Sequence, residues 1–315
     1  MLTFFAICGK ILKNVDTKIY YECKAVSEMQ NKPDGNTLPY SVMMLVYFKA
    51  DPTEFDMAIR SMMEQTLPPD EFVLVCDGPL NAELDAVVKK YEDAYPDIFN
   101  VVRIEMKIGI GPCANRGLNE CHNEIVVRMD ADDIAVPTRC ARQIAEFIKD
   151  PTLDIVGGYI VEFEEGKEDS GLVREVPLEH DELLKYAQRR IPFNNVTVAM
   201  RRSRALAVGG FFSLARGEDY DLYCRMLIHG AKGKTLPKVL VRCRVNQDAY
   251  ARRRQWSHTS SLINVRWQLY RRGFSTFSDF LVMSASHVAI MLLPTSFTKW
   301  LYSRHLRSKE TEEHK

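Results

Sequence analysis

From Tyr40 onward, the chain alternates short runs of β-branched and aliphatic residues with amphipathic stretches. Apolar residues at every second position predict β-strands, whereas apolar residues three and four positions apart predict helices. Capping residues mark the transitions, as Asp51 and Pro52 do before the first predicted helix. Strands that alternate with helices form α/β folds, so this pattern predicts an α/β domain.

The alternation also predicts how the chain is organised. Strands are predicted at residues 40–48, 71–77, 99–106, 124–130, 153–163, 196–200 and 239–245. Helices are predicted at about 52–65 and 81–95, after the glycine-rich turn at 109–111, from Pro137, within 177–208, and from Gly217 to about 230. We divide the 315 residues into an N-terminal extension without an assigned role (1–39), a main domain (40–250) and a helical, basic and aromatic C-terminal region (251–315).

The composition excludes several classes of protein. Hydrophobic residues make up 46% and charged residues 27%, which is typical of a globular protein and not of a disordered, collagen-like or polytopic membrane chain. The net charge is zero, but 19 basic residues face 34 acidic ones up to Gln188, and 23 face 8 beyond it. The acidic part could gather a cation, and the basic part could meet phosphates or an anionic membrane surface. The alternative is two solvated faces that neutralise each other.

Cysteine spacing and the apolar segments indicate where the protein acts. The eight cysteines include no C-x-x-C pair, and we expect them to be reduced. The apolar stretch at the start is too short for a signal-peptide core, so we expect a cytoplasmic protein. The apolar stretch 280–293 is too short, and with Ser284, Ser286 and His287 too polar, to span a bilayer. A core helix or an interfacial helix fits it better.

An acidic cluster follows the strand predicted at 124–130, where Asp130, Asp132 and Asp133 lie in the run RMDADD. Carboxylates gathered at one strand end repel one another unless a cation or a set of donors compensates their charge. Ligands bind at this edge of open α/β sheets, so we expect Asp130 and Asp132 to face the crevice. A divalent cation there could bridge a carboxylate to phosphate oxygens. The alternative role, a cap on the following helix, we assign mainly to Asp133.

Two other acidic positions are candidates. Glu218, Asp219 and Asp221 open a predicted helix, where acids favour the helix dipole and need no further role. The alternative is that Asp219 points into the cleft as a general base. Asp77 ends the second predicted strand and either forms an Asp-Gly turn or accepts a hydrogen bond from a nucleotide base or ribose.

A glycine pattern supports a rival function. Gly109, Gly111 and Ala114 match G-x-G-x-x-A, and Asp130 lies 21 residues beyond Gly109. This resembles the fingerprint of dinucleotide binding and would predict an NAD(P)-binding oxidoreductase. The fingerprint normally follows the first strand, however, and it explains neither Asp132 nor the acids after Gly217.

Taken in order, the motifs resemble a known family. Residues 40–79, followed by GIGPCANRGL, RMDADD, PFNNVTVAMRRS, VGGF and GEDYDLYCRM, are similar to glycosyltransferase family 2. The resemblance extends to the bacterial branch that builds capsular, exopolysaccharide and lipopolysaccharide chains, including amylovoran-type transferases. It covers roughly residues 40–255. It implies a type-A glycosyltransferase fold, a Rossmann-like mixed sheet flanked by helices, with the catalytic domain at 40–250.

The resemblance implies a nucleotide-sugar donor, with a UDP-sugar favoured, and a divalent metal, Mn2+ or Mg2+. By position, Asp77 would contact the nucleotide base, Asp130 the ribose region, and Asn115 the donor. Asp132, together with Asp130, would bind the metal on the diphosphate. The chain departs from many relatives at Tyr47-Phe48, where they have Tyr-Asn, and at Ala114, where they have Arg. Both departures lie among the donor contacts.

The resemblance also implies an inverting transfer to a growing, lipid-linked bacterial surface polysaccharide. Asp219 would deprotonate the acceptor hydroxyl, and Glu218 would help to place the acceptor. A non-catalytic nucleotide-sugar-binding protein on the same scaffold is a second alternative, and we expect no nucleic-acid partner.

Each basic segment allows more than one interpretation. The run 252–254 could hold a diphosphate or an acceptor phosphate, or be solvated. The aromatic and basic C-terminal region favours peripheral attachment to the inner face of the cell membrane, against a subdomain packed on the core or a dimer interface.

Overall fold

The computed structural model describes residues 37–163, 171–245 and 255–293 and residues 308, 309, 311 and 314. Most of the N-terminal extension and the basic run 252–254 lie outside the described residues. So do the aromatic and basic positions 300–307 of the C-terminal region. The interpretations made for these segments stay predictions, as do the domain boundaries.

Ten strands form one mixed sheet within the described ranges. Their bounds are β1 (Tyr40–Val46), β2 (Glu71–Cys76), β3 (Phe99–Arg103), β4 (Ile125–Asp130), β5 (Ile134–Ala135), β6 (Leu153–Phe163), β7 (Leu172–Arg174), β8 (Ala199–Arg201), β9 (Lys232–Arg244) and β10 (Ser308–Lys309). The strand order is β10-β7-β6-β8-β4-β1-β2-β3, and β9 pairs with β5 and β6. Strands β3, β2, β1 and β4 run parallel, whereas β8 is antiparallel to β4.

Helices cover both faces of the sheet. Their bounds are α1 (Pro52–Met63), α2 (Ala82–Ala94), α3 (Ile110–Glu120), α4 (Arg139–Lys149), α5 (His180–Ala187), α6 (Arg202–Ala207), α7 (Glu218–Ile228), α8 (Trp256–Arg271) and α9 (Phe277–Leu292). Helices α1, α2 and α4 contribute to the hydrophobic cluster on one face, and α3, α5, α6 and α7 contribute to the cluster on the other. The predicted α/β architecture is confirmed.

Strand β1 is buried on both sides, as expected for a parallel strand between two helical layers. Met44 packs into the cluster with α1, α2 and α4, whereas Met43 packs into the cluster on the opposite face. The register aligns Leu45 with Asp130 and Val46 with Cys76. The carboxyl ends of β1, β2 and β4 therefore meet at one edge of the sheet.

The segment after Asp130 differs from its prediction. The predicted helix begins at Arg139 rather than at Pro137, because the short strand β5 first pairs with β9. Asp133 therefore caps no helix. Its carboxylate accepts a hydrogen bond from the backbone N–H of Arg244, at 2.8 Å, and so ties the acidic loop to β9.

The C-terminal helices form a hairpin on the second layer. Val265 and Leu269 of α8 pack against Tyr220 and Cys224 of α7. Helix α9 does not form core, because Asp279 is its one buried residue. None of the helices in the described part of the chain is long and apolar enough to cross a bilayer.

The packing of α3 generates a prediction about two glycines of one helix. A Cβ at Gly111 would lie 2.3 Å from the Phe212 carbonyl oxygen, whereas a Cβ at Gly117 would lie 2.8 Å from the Met43 sulfur. Backbone cannot yield as a flexible thioether can. We expect Gly111→Ala to lower the free energy of unfolding by about 2 kcal/mol. For Gly117→Ala, the gain in helix propensity of up to about 1 kcal/mol offsets part of the crowding.

Urea denaturation of the two variants measures the difference. Equal losses would contradict the assignment of Gly111 to a close backbone approach.

Candidate active site

A cleft of 1680 Å³ opens where the carboxyl ends of β1, β2 and β4 meet. Asp77, Asp130 and Asp132 line it from the sheet side, and Glu218 and Asp219 line it from the start of α7. Residues of α8 and α9 close its far end. The structure therefore brings five of the six predicted site residues into one cleft.

Arg128 holds the centre of this acidic group. It lies in β4 with 5% of its surface exposed, and its Nη2 donates to Asp130 at 3.3 Å. The Asn195 amide oxygen accepts from Nε and Nη2 of Arg128 at 3.2 Å, and its nitrogen donates to the Tyr223 hydroxyl. Burial alone would lower the pKa of Arg128. The nearby acidic groups, Asp130, Tyr223 and Asp219 among them, outweigh burial and raise the pKa above its ordinary value. The guanidinium therefore stays charged and compensates the carboxylates.

The Asp132 side chain is exposed to solvent within the cleft, but protein atoms of the cleft surround it and bury its carboxylate from bulk water. This burial, followed by the charges of Asp130 and Glu54, raises the pKa of Asp132 to about 6. Arg244 lowers the pKa of Asp132 but does not cancel the increase, so the protein compensates the charge of this carboxylate only in part. A group in this state gains most when a cation binds beside it.

The loop that carries Asp132 is fixed from both sides. Arg244 donates from Nε to the Asp132 carbonyl oxygen at 3.1 Å and pairs with Glu54 at 3.2 Å. Below the loop, the fully buried Arg139 donates to the Arg128 carbonyl oxygen at 2.6 Å and to Gln143 at 3.1 Å. These bonds hold the end of β4 and the acidic loop in one position.

Asp77 both forms its turn and faces the cleft. Its carboxylate accepts from the backbone N–H of Ile108 at 2.7 Å and from that of Gly109 at 3.2 Å. Gly78 follows with φ of 88°, a left-handed conformation that favours glycine. Because each carboxylate oxygen can accept more than one hydrogen bond, the predicted contact with a base stays open to Asp77.

Asn115 does not line the cleft. Its amide nitrogen donates to the Phe211 carbonyl oxygen and its amide oxygen accepts from the Phe211 N–H, both at 2.7 Å. These bonds fix the loop before α7. Its predicted contact with the donor stays a prediction.

The glycine fingerprint has a structural explanation. The N–H groups of Ile108 and Gly109 are bound to Asp77, so the carboxylate takes the place that a pyrophosphate would need. Gly111 is required because the Phe212 backbone approaches it closely. Neither observation fits dinucleotide binding at this loop.

The three acids at the start of α7 have different surroundings. Asp221 is buried and pairs with Arg225 at 2.7 Å and with Arg272 at 3.3 Å, so it serves the packing of α7. Glu218 and Asp219 line the cleft, and burial raises the pKa of both carboxyls. A carboxylate that is more basic than usual suits proton abstraction.

Sequence reasoning assigned no role to several cleft residues. Lys107 lies over the Tyr47 ring at 4.4 Å and beside Asp77 at the rim of the cleft. Arg128 stands within the run RMDADD, but its partners Asn195 and Tyr223 are far along the chain. Arg266 enters the cleft from α8. The positive charge of the second half of the chain pointed to Arg266, whereas no signal in the sequence singled out Lys107 or Arg128.

Asp130 and Asp132 are the candidate metal ligands of the cleft. Among the described residues, no group of three or more His, Cys, Asp and Glu side chains could hold a metal ion. Asp130 and Asp132 supply two carboxylates, and carboxylate oxygens suit a hard cation. Such a pair fits a divalent ion that takes its remaining ligands from a diphosphate and water, rather than an ion enclosed by protein.

The fold and the cleft define a type-A glycosyltransferase, and comparison with known proteins agrees. Residues 41–209 match the family described as glycosyl transferase family 2. The chain therefore belongs to glycosyl transferase family 2 and is a glycosyltransferase. The rival interpretation as an oxidoreductase is wrong.

Two curated relatives and one solved structure show how far the similarity extends. A UDP-Gal:alpha-D-GlcNAc-diphosphoundecaprenol beta-1,3-galactosyltransferase from Escherichia coli is 30% identical over 86% of this chain and 98% of its own. An amylovoran biosynthesis glycosyltransferase from Erwinia amylovora is 30% identical over 84% of this chain and 98% of its own. A mannosyltransferase from Pyrobaculum calidifontis, solved with GDP-Man and Mn2+, superposes with a TM-score of 0.59 at 18% identity, over 89% of this chain and 80% of that one. At this identity the last comparison confirms the fold.

The different surroundings of Asp219 and Asp221 generate a prediction. We expect Asp221→Asn to lower the free energy of unfolding by about 3 kcal/mol, because it leaves the buried Arg225 without its carboxylate. Asp219→Asn should leave stability unchanged or higher, because burial disfavours the Asp219 charge. Urea denaturation of both variants at pH 7 tests this. An equal loss in both would contradict the division of the α7 acids into packing and cleft residues.

Proposed function

We propose that the protein is an inverting, metal-dependent glycosyltransferase that moves a sugar from a UDP-sugar to a lipid-linked precursor of a bacterial surface polysaccharide. The observation that carries the proposal is the meeting of two acidic groups in one cleft. Asp130 and Asp132 come from the end of β4, and Asp219 comes from the start of α7, with Arg128 between them.

The donor would lie on the sheet side of the cleft. Asp77 would accept from the base, Asp130 would contact the ribose region, and the Lys107 ammonium is available to the phosphates. Asp130 and Asp132 would hold Mn2+ or Mg2+, which when bound offsets the negative charge of the departing diphosphate. The raised pKa of Asp132 and the solved Mn2+ complex of the mannosyltransferase support this assignment.

The transfer itself needs one proton to move. The acceptor oxygen attacks the anomeric carbon from the face opposite the diphosphate, the bond from that carbon to the diphosphate oxygen breaks, and the nucleoside diphosphate leaves. Asp219 takes the proton of the attacking hydroxyl at its carboxylate. Glu218, 7% exposed beside it, would accept a hydrogen bond from the acceptor sugar and place it.

The names of the relatives support the choice of donor and acceptor. The Escherichia coli relative uses a UDP-sugar and a diphosphoundecaprenol acceptor by name, and the Erwinia relative acts in amylovoran biosynthesis. Both match this chain over nearly their whole length. A lipid-linked acceptor would also bring the protein to a membrane surface.

The roles of Asp132 and Asp219 are separated by one pair of variants. In wild type, UDP at 100 times its dissociation constant should add about 2.7 kcal/mol to stability, and only when Mn2+ is present. Asp132→Ala should lose the metal-dependent part, because the phosphates then lack their bridging cation. Asp219→Asn should keep the full UDP and Mn2+ effect and lose transfer by at least about a hundredfold.

Thermal unfolding with UDP, GDP and NAD, each with and without Mn2+, measures binding. Release of UDP from UDP-sugars in the presence of a lipid-linked acceptor measures transfer. Asp221→Asn is the matched control, because Asp221 is an acid of the same helix outside the cleft. The variant is studied below its own melting temperature, which should be lower than that of wild type. A UDP effect that persists without Asp132 would contradict the metal assignment, and full transfer by Asp219→Asn would contradict the base.

Membrane contact is supported by the outer face of α9. Leu281, Val282 and Leu292 are each at least half exposed, and Trp267 of α8 stands beside Phe280 with ring centroids 5.4 Å apart. Aromatic and aliphatic side chains on an exposed helix suit the interface of a bilayer.

Changing this face should weaken membrane binding. We expect L281E together with V282E to reduce the partition into anionic vesicles at least about tenfold, because each buried aliphatic side chain contributes about 1.5 kcal/mol or more. Co-sedimentation with phosphatidylglycerol vesicles measures the change. Met106→Glu, a change at an exposed apolar residue in another region, is the control. Equal sedimentation of the double variant and wild type would contradict the contact.

A further inference from the structure

The cleft is lined by acidic and by basic side chains. Asp77, Asp130 and Asp132 line its sheet side, and a group of arginines, the basic end, consists of Arg174, Arg189, Arg190, Arg216 and Arg266. Arg216 and Arg174 are electrostatic neighbours of Glu218 and Asp219, and Arg189 pairs with Asp279 at 2.6 Å. Glu175 contacts Ser308 and pairs with His314 at 3.3 Å. The proposed donor and metal leave Arg190 and Arg266 without a role.

Arg266 is the buried member of the basic end, with 6% of its surface exposed. Within the described ranges, no carboxylate pairs with it. Its Nη1 lies 3.4 Å from the Tyr220 hydroxyl, its guanidinium lies 5.3 Å from the centre of the Tyr220 ring, and its Nε has no hydrogen-bond partner. A buried guanidinium without a counter-ion costs several kcal/mol, so its environment favours an anion in the cleft.

Other groups around Arg266 add to this preference. Burial lowers the pKa of Arg266, Tyr220 and Cys224 raise it in part, and the charge of Arg190 lowers it, so a second cation lies near Arg266. Burial, followed by Arg266 and His258, lowers the pKa of His287 to about 4. His287 is therefore neutral at pH 7, and its partnerless Nε2 is a hydrogen-bonding group.

A partly apolar face of helix α9 lies next to Arg266. Helix α9 turns one face into the cleft, formed by Met283, Ser286, His287 and Ile290. The spacing of three, four and seven residues places them in one row. Leu262 of α8 lines the cleft on the other side. Anionic and apolar groups of one ligand would both find partners here.

We propose that Arg266 binds the diphosphate of a lipid-linked acceptor and that Met283 and Ile290 receive the first part of its lipid chain. Arg266 touches Tyr220, which directly follows Asp219, so a diphosphate at Arg266 leaves the attached sugar beside the base. This inference rests on the proposed function, since it specifies how that function's acceptor is held.

The donor diphosphate is a poorer occupant of this site. The strongest electrostatic neighbours of Asp132 are Asp130, Glu54 and Arg244. Those of Arg266 are Tyr220, Cys224 and Arg190. The two sets share no residue, so Asp132 and Arg266 lie in different electrostatic surroundings within the cleft.

The test measures binding to the full-length protein while UDP and Mn2+ fill the donor site. The probes are farnesyl diphosphate, farnesol and inorganic pyrophosphate. Isothermal titration calorimetry measures the affinity for each. The variants are R266Q and, as a matched control, R271Q, which changes an exposed arginine of the same helix outside the cleft. Wild type should bind farnesyl diphosphate at least tenfold more tightly than either other probe.

R266Q should lose at least tenfold in affinity for farnesyl diphosphate and none for farnesol or UDP, and R271Q should match wild type. Loss of UDP affinity in R266Q would assign Arg266 to the donor and overturn the inference. Wild-type binding of farnesol as tight as farnesyl diphosphate would also overturn it. Pyrophosphate that binds as tightly as farnesyl diphosphate would refute the lipid contact of α9.

Thermal unfolding guards against a merely structural effect. R266Q removes an uncompensated buried charge, so its melting temperature without ligand should equal or exceed that of wild type, and Arg266→Lys should recover part of the diphosphate affinity. A melting temperature several degrees lower, with equal losses for all probes, would show that Arg266 supports the fold and would overturn the inference.

The binding assay needs no transfer, so the two proposals can fail separately. If wild type transfers sugar to a lipid-linked acceptor while R266Q binds farnesyl diphosphate normally, only the inference fails. If R266Q behaves as expected while wild type transfers no sugar, the diphosphate site stands and the proposed function fails.

Discussion

The repulsion among carboxylates at one edge of the sheet is the constraint on which the rest of the cleft depends. Asp130, Asp132 and Asp133 follow a single strand, and Glu218 and Asp219 approach from α7. Each has a different form of compensation. Asp133 is buried as the acceptor of a backbone N–H, Asp130 faces Arg128, and Asp132 is left with a raised pKa. Burial also raises the pKa of Asp133, so Asp132, the carboxylate proposed to meet a cation, is distinguished by its position in the cleft.

This arrangement needs a rigid support, because like charges would otherwise move apart. The support is polar and lies beneath the loop. Arg139, fully buried in α4, holds the carbonyl of Arg128, and Gln143 donates to the carbonyls of Val156 and Thr197. On the other side, β9 supplies Arg244. Helix α4 and strands β4 and β9 are therefore joined at the point where the acids are gathered.

Local patterns predicted the features that depend on neighbouring residues. The alternation of strands and helices is a local property, and the cap at Asp51 lies where the sequence placed it. The run RMDADD at a strand end likewise predicted which acids enter the cleft. Contacts between distant segments followed no such pattern. The helix predicted from Pro137 begins at Arg139, after β5 has paired with β9, and Asn115 meets Phe211 across 96 residues.

The charge asymmetry of the sequence acquires a structural meaning from the cleft. The acidic first half of the chain supplies Asp77, Asp130 and Asp132, and the basic second half supplies α8 with Arg266. A transferase must bind two substrates and keep each out of the other's site, and opposite charges would serve this in the proposed reaction. A metal-bound donor would be drawn to the acidic group, whereas an acceptor with an uncomplexed diphosphate would be repelled there and attracted to Arg266.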